Sequence, residues 1–527
     1  MKKYIYYLKS FLNHREFVSW GFLWTTIVNT FKVRVLKIPR LRNVQMALTF
    51  RCNHSCTFCS SNKLLKKDRL GLSYSEWVCT VNQLKSLGVV HFDLTGGEPT
   101  MYNNLLPLIR EIQDGKRVIS LATNGKVLNE VDIIDLKEAG LTVLEFNLQS
   151  VNPEIHDARV RDKGNFQHIM NLIPIAQKYG LKVCINTCLG DDNWDEIEKL
   201  MDWCEEKRIH CLLNLGAPTG RLRDKDVRIT DRKAEYYRLL YSHPYSRSDT
   251  SYNYRGLNLC PGGVEKVYIT AYGEVQQCTF CQISFGNVRK DPLSLIYRRF
   301  LSQKRIVSKE ICKHTFNETF RKEWIDPIID NPNPPIVLID HPRYENENTD
   351  PATYKKTLGL LFNYLIKQKS KELQKWIKKS EWGYDIGAGF GQYARELQRL
   401  GYHVVAIEPD ARYLKDLDSF SNCKAEDVNL ELDYAYLINV LHHANDPVGV
   451  LTHLKTKVKR IIISELNRRS LFVRLYVKLL MKHENINSHY SKSDVEDILR
   501  ASGLNVKHHY TTSLFGIPYT YNWWIIE

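Results

Sequence analysis

Three cysteines crowd into FRCNHSCTFC, which runs from Phe50 to Cys59: Cys52, Cys56 and Cys59. Gaps of three and then two residues put three thiols on one short loop. A tetrahedral zinc would need a fourth protein ligand, and the nearest is His54 in the same loop. Soft thiolates also suit iron–sulfur clusters, and a cubane held by three cysteines keeps one iron open for a substrate or cofactor. A second, looser group comprises Cys260, Cys278, Cys281 and Cys312, a count that suits zinc or a cluster. A third pattern, WGYDIGAGFGQY, sets Asp385, Gly387, Gly389 and Gly391 as DxGxGxG between a strand and a helix. Glu408 ends the next strand, placed to accept hydrogen bonds from ribose hydroxyls.

These groups need elements to present them. VQMALTF, HFDL, VISLAT, VLEFNL, KVCINTCL and HCLLNL read as strands. The helical stretches between them cover Tyr74–Leu87, Leu105–Ile112, Val131–Ala139, Phe166–Lys178 and Trp194–Glu206. Strands separated by helices imply parallel pairing with right-handed crossovers. The segment is short for a full eight-fold barrel of about 250 residues, so a partial, open barrel is expected. Residues 250–326 break the rhythm with cysteines and a hairpin, VYITAYGEVQQC. A Pro/Asn/Asp-rich stretch over 327–350 reads as a linker, and 351–527 as a second α/β domain. The fold class is therefore α/β: a partial barrel over 44–249, its cysteine-rich extension, and a Rossmann-like domain.

The chain has 527 residues, ordinary globular composition and a net charge of +15. Its 13 cysteines are an odd number and no secretory signal precedes them, so a disulfide framework is not expected. The clustered ones point to metal in a reducing, cytoplasmic compartment. Cys79, Cys184, Cys188, Cys204, Cys211 and Cys423 read as core thiols. Residues 1–43 are aromatic and basic, with an apolar run from Phe17 to Val28 too short to span a bilayer. Two readings stay open for this segment: a helix on a membrane surface, or a helix packed on the following domain.

The motif CxxxCxxC, with Phe58 before its last cysteine and the first strand of a partial barrel ahead of it, resembles the radical S-adenosylmethionine (SAM) superfamily. LTGGEP, with Gly96, Gly97, Glu98 and Pro99, follows the second strand, where that family places a turn meeting the methionine amino group of SAM. ATNG ends the third strand and APTGR follows the sixth, both familiar there. The resemblance implies a [4Fe-4S] cluster on Cys52, Cys56 and Cys59 whose open iron binds SAM. Glycines at 96 and 97 are read as admitting the backbone close to that ligand. The interval from Cys260 through Gly273 to Cys278 resembles the SPASM or twitch extension. It implies a second [4Fe-4S] cluster on Cys260, Cys278 and Cys281, with Cys312 as a further ligand. Residues 350–527 resemble class I SAM-dependent methyltransferases, which implies Asp427 near the adenine. His442 and His443 are candidate bases, or residues that merely close the helix start.

These resemblances imply a bifunctional enzyme. Reductive cleavage of SAM would yield a 5′-deoxyadenosyl radical that abstracts hydrogen from a substrate, and the C-terminal domain would transfer a methyl group. The alternative keeps the radical chemistry and makes the C-terminal domain a SAM-binding or regulatory module. The substrate class stays open among peptides, lipid-linked molecules, sugars and nucleosides. An external donor such as flavodoxin or ferredoxin would supply electrons, and no nucleic-acid-binding module is visible.

Overall fold

The structure is a computed structural model. It describes residues 19–62, 64–66, 68–190, 192–216, 219–222, 233–248, 253–255, 259–302, 317–328, 335–338, 364–389, 391–409, 419–444, 446–467, 470, 473, 490–514 and 517–527. Cys312 and most of the linker lie outside the described residues. The chain forms two compact units, one of residues 1–289 and 303–344, the other of 290–302 and 345–527.

In the first unit, helix α1 (Trp20–Arg34) precedes strand β1 (Asn43–Thr49) and helix α2 (Tyr74–Leu87). Then follow β2 (His91–Gly96), α3 (Leu105–Ile112), β3 (Val118–Thr123), α4 (Glu130–Ala139), β4 (Val143–Asn147), α5 (Pro153–Val160), α6 (Asn165–Lys178), β5 (Lys182–Leu189), α7 (Ile197–Glu206) and β6 (His210–Leu215). Local chemistry sets these limits. Ser73 and Glu76 form a capping box at the start of α2, and Gly88 ends that helix with φ 100°. Asn129 caps α4 in the same way, and Gly140 closes it with φ 105°. Helix α5 is an element the sequence pattern left unassigned; Asn152 caps it and Pro153 opens it.

Strands β1 to β6 pair in parallel, each with its neighbour in sequence. Among the described residues the sheet does not close on itself. Beyond β6 it adds β7 (Ser246–Arg247), and on the β1 side it continues into the cysteine-rich extension. There β8 (Lys266–Ile269) pairs parallel with β1, and β9 (Glu274–Gln276) pairs antiparallel with β8 around Gly273 at φ 88°. Then come β10 (Ile283–Asn287) and β11 (Ile336–Val337). The extension thus prolongs the barrel sheet where the sequence rhythm breaks.

Helix α9 (Leu293–Ser302), after α8 (Lys233–Ser242), falls in the segment the sequence assigns to the cysteine-rich region. By packing it belongs to the second unit. Leu295 joins an apolar cluster of that unit, and Arg298 pairs with Asp494 while its guanidinium lies 4.5 Å over the Tyr490 ring.

The second unit is a seven-stranded sheet. In chain order its elements are β12 (Trp382–Ile386), α10 (Gln392–Arg399), β13 (His403–Ile407), β14 (Phe420–Ser421), β15 (Leu432–Ile438), α11 (Pro447–Lys455), β16 (Val458–Leu466), α12 (Lys492–Ala501), β17 (Val506–Leu514) and β18 (Ile517–Ile526). The strand order is β14-β13-β12-β15-β16-β18-β17, with β18 antiparallel to both neighbours. Apolar residues go alternately to two cores. Tyr434, Tyr436, Trp523 and Ile525 enter one, while Ala435, Leu437, Trp524 and Ile526 enter the other. A sheet covered on both faces needs such continuous apolar runs. The order reverses beside β12, so the carboxyl ends of β12 and β15 flank the crevice where doubly wound sheets bind ligands.

Candidate active sites

The loop from Phe50 to Cys59 follows β1 and forms neither helix nor strand, so its backbone polar groups need partners elsewhere. Turns at the ends of three other strands supply them. The Gly97 amide donates to the Thr49 carbonyl at 2.7 Å, and the Glu98 amide to the Arg51 carbonyl at 2.8 Å. A Cβ on Gly96 would lie 2.2 Å from the Thr49 carbonyl oxygen, and one on Gly97 the same distance from that of Arg51. These glycines therefore admit the root of the cysteine loop, and they also border the cavity in which close approach to a ligand is expected.

The Glu98 side chain is almost fully buried. Its Oε1 accepts from the hydroxyls of Thr123 at 2.7 Å and Thr100 at 2.8 Å, and its Oε2 from the Asn124 amide at 2.8 Å. Burial raises this carboxyl from its usual range, and the donors oppose that shift. The carboxylate locks the turn after β2 to the turn after β3. From there Asn124 Nδ2 reaches Asn53 Oδ1 in the cysteine loop at 2.7 Å. After β6, Arg221 donates its amide to the Cys59 carbonyl at 2.9 Å and Nη1 to the Cys56 carbonyl at 2.8 Å. A Cβ on Gly220 would come within 2.2 Å of that Cys59 oxygen. Ala217 and Pro218 lie outside the described residues. Arg159 completes the brace: its carbonyl accepts from the Thr57 amide, and its guanidinium lies 5.0 Å over the Phe58 ring.

Cys52, Cys56 and Cys59 border a cavity of about 310 Å³ together with Gly96, Gly97 and Glu98. Cys260 and Cys278 border the same cavity. A Cβ on Gly262 would meet the Gln277 side chain at 2.6 Å, so the segment after Cys260 lies against the residue before Cys278. Cys281, three residues on, is fully buried. Of the thiols read as core, Cys188 also borders the cavity and Cys79 is exposed on α2, both contrary to that expectation. Cys184 and Cys423 are partly exposed, while Cys204 and Cys211 are buried.

This donor set fits a cluster better than one zinc ion. His54, the candidate fourth zinc ligand, lies 2.9 Å from the Asp162 carboxylate. Burial, with Cys59 and Cys52 adjacent, pushes the Cys56 thiol up to about 12, and burial also raises Cys52. Thiolates here require a cationic partner.

Sequence reasoning missed a row of amides. Asn147, Asn186 and Asn214 stand at or near the ends of β4, β5 and β6 and line the cavity, with Asn214 Nδ2 donating to Asn186 Oδ1 at 2.7 Å. The signal was present as an asparagine late in three successive strands, EFNL, CINT and LLNL.

In the second unit Gly387, Gly389 and Gly391 all adopt left-handed backbone, at φ 65°, 50° and 65°. A Cβ on Gly387 would meet Val440 at 2.5 Å, while one on Gly389 would meet nothing within 4 Å. The Gly389 amide donates to Glu408 Oε2 at 3.0 Å, so this carboxylate holds the loop as well as flanking it. Asp385 is buried beside Tyr436 and the Ala394 amide, and burial pushes it up to about 7. Asp427 is exposed on the short turn Ala425–Asp427.

His442 Nδ1 lies 2.8 Å from Glu465 Oε2, and the Leu441 amide donates to Glu465 Oε1 at 2.9 Å. Both side chains are buried, and the His443 ring lies 4.1 Å from that of His442. Lys369 is buried with Nζ 3.7 Å over the Tyr521 ring, and burial holds its ammonium well below the usual lysine range. Neither Glu465 nor Lys369 was picked out from the sequence; an acid closing the apolar run IIISEL was the available sign for Glu465.

The two arrangements are a thiol-lined cavity at one end of a parallel sheet and a glycine loop beside an acid-ended strand. Residues 46–204 match the family model of the Radical SAM superfamily, and residues 361–509 that of a methyltransferase domain. The chain carries a radical SAM domain followed by a methyltransferase domain, and it is an enzyme that uses SAM. It is 26% identical over 275 residues to a PqqA peptide cyclase of Rhizobium meliloti (strain 1021), a match covering 47% of this chain and 72% of that one. Among solved structures, SuiB of Streptococcus suis bound to its precursor peptide SuiA is 19% identical with a TM-score of 0.38, covering 47% of this chain. The match spans 62% of SuiB, less than two thirds of its length. A SAM-dependent methyltransferase of Thermotoga maritima, a possible histamine N-methyltransferase, is 17% identical with a TM-score of 0.28, covering 33% of this chain and 94% of that one.

Two outcomes follow from this geometry. Glu98→Gln puts an amide NH₂ among groups that only donate to the carboxylate. Isothermal titration of the iron-loaded protein is expected to show about ten- to a hundredfold weaker SAM binding at the N-terminal site. For Asp385, the folded pKa of about 7 exceeds the usual 3.8, so the folded state holds this proton more tightly. That contribution is present at low pH and is lost as pH rises from about 4 through 7. Calorimetry of Asp385→Asn is expected to show a flatter fall in stability of the second unit across that window.

Proposed function

We propose that the first unit cleaves SAM reductively and applies the resulting radical to a peptide, and that the second transfers a methyl group. The observation that carries this reading is the shared cavity: Cys52, Cys56 and Cys59, Cys260 and Cys278, and the Gly96–Gly97–Glu98 turn open on it. Cys52, Cys56 and Cys59 would hold a [4Fe-4S] cluster with SAM on its open iron. Cys260, Cys278 and Cys281 would hold a second, with Cys312 a further ligand in sequence. When bound, the first cluster supplies the electron that splits SAM into methionine and a 5′-deoxyadenosyl radical.

The chain's own residues orient and shield. Arg221, Arg159 and Asn124 keep the cysteine loop in one conformation, so SAM meets a preorganised site. The cavity bordered by the thiols would receive the reactive carbon. Asn147, Asn186 and Asn214 offer amide donors and acceptors to SAM or to a peptide backbone. The peptide assignment is supported by the relative named as a peptide cyclase. A flavodoxin or ferredoxin would deliver electrons.

In the second unit the glycine loop and Glu408 would hold SAM as methyl donor, with Asp427 at the adenine. Methyl transfer needs an acceptor in line behind the sulfonium carbon. His442, oriented by Glu465, stands on the turn after β15, two residues from the Val440 that touches Gly387.

Anaerobic iron analysis and 5′-deoxyadenosine formation test the radical site. About eight irons per chain are expected in the wild type and about four, without 5′-deoxyadenosine, in a Cys52/Cys56/Cys59 triple alanine variant. Zinc in place of iron, with no cleavage, would overturn the assignment. For the second site, Glu408→Ala is expected to abolish methyl incorporation from labelled SAM while 5′-deoxyadenosine formation persists. Methylation that survives the substitution would leave that domain as a binding module only.

A further inference from the structure

Helix α1 is built inside out. A helix packed on a domain ordinarily turns its apolar stripe to the core and its polar face to water. Here the buried residue is polar: Asn29 Nδ2 donates to the Gly88 carbonyl at 2.9 Å and lies 3.3 Å from the Tyr254 hydroxyl. At the helix ends Ser19 Oγ donates to the Gly115 carbonyl and Arg34 Nε to the Tyr254 carbonyl, each at 2.5 Å. Gly21 admits the close approach, since a Cβ there would lie 2.7 Å from the Gly115 oxygen. These contacts fix the rotation of the helix on its unit.

The opposite side is a continuous apolar stripe. Trp20 is 87% exposed, Trp24 69%, Ile27 58%, Phe31 53% and Val35 60%. Their spacings of four, three, four and four residues set them on one helical face. Exposed indoles and a phenyl ring in line form the kind of patch that marks an interaction surface.

We propose that this stripe docks the enzyme on an anionic lipid surface. Charge selects that occupant. Residues 1–40 hold eight Lys and Arg against a single acid, Glu16, and Lys32, Arg34, Lys37 and Arg40 cluster at the end of the stripe. Tryptophan favours the bilayer interface, where its ring is apolar and its N–H stays wet, and flanking cations meet the lipid phosphates. Among the described residues no helix is long and apolar enough to cross a membrane, so the contact is interfacial. The helix lies in the headgroup plane while its polar face holds the radical SAM unit beneath it. The inference is independent of the chemistry assigned to either site.

The test uses the full-length, iron-loaded protein with vesicles of phosphatidylcholine alone or mixed with phosphatidylglycerol. Co-flotation and a blue shift of tryptophan emission are expected with the mixed vesicles, weakening as salt rises. A Trp20→Ser/Trp24→Ser/Phe31→Ser variant alters exposed side chains only. It is expected to lose about tenfold in partitioning, with 5′-deoxyadenosine formation unchanged. Wild-type protein that ignores anionic vesicles, or a variant that partitions as the wild type does, would overturn the proposal. So would an oligomer by light scattering that the variant dissociates without any vesicle binding, since the stripe would then be a protein interface.

Discussion

The first unit depends on one buried carboxylate. Glu98 takes hydrogen bonds from Thr100, Thr123 and Asn124, and so joins two turns that belong to different strands. A buried charged group is tolerated where donors surround it, and expensive where they do not. The cysteine loop contributes almost no internal structure. Its conformation is imposed by what Glu98 and Arg221 hold around it, and a thiol site at the end of an open barrel is positioned by the strands behind it.

Motifs that look separate along the chain become one object in this light. GGEP, ATNG and TGR are the turns after β2, β3 and β6, and each reaches the cysteine loop or its root through backbone or side-chain hydrogen bonds. Gly96, Gly97 and Gly220 answer steric demands made by carbonyls of the loop and its root, at 2.2 Å from the Cβ each position lacks. The hairpin carrying the second cysteine group is held by backbone pairing too, since β8 extends the same sheet beside β1. Cys52, Cys56 and Cys59 and, about two hundred residues on, Cys260 and Cys278 thereby face one space.

The second unit solves a different problem with backbone freedom. Its loop alternates glycines at left-handed φ and ties itself to β13 through the Gly389 amide on Glu408 and the Ala388 amide on the Ile407 carbonyl. The same unit also buries His442, Glu465 and Lys369. Burying ionisable groups costs stability, and such clusters concentrate where a site needs them.

Much was legible in the sequence alone, because it depends on local chemistry. Helix limits at Ser73, Gly88, Asn129 and Gly140, the parallel order of β1 to β6, the hairpin at Gly273 and the glycine loop all follow from caps, periodicity and turn residues within a few positions. The cysteine spacing determined which atoms are available for metal chemistry. Tertiary structure decided what those residues touch. Arg159, Arg221 and the three cavity asparagines acquire their places only when strands meet side by side. Glu465 is an ordinary acid until His442 folds against it, and α9 reads as part of the cysteine region until its apolar face finds the second unit's core. Periodicity shows that α1 has an apolar face but not which way that face turns, and three hydrogen bonds to distant backbone turn it outward. Contacts between residues far apart in the chain depend on the global arrangement of strands and helices, which no local pattern encodes.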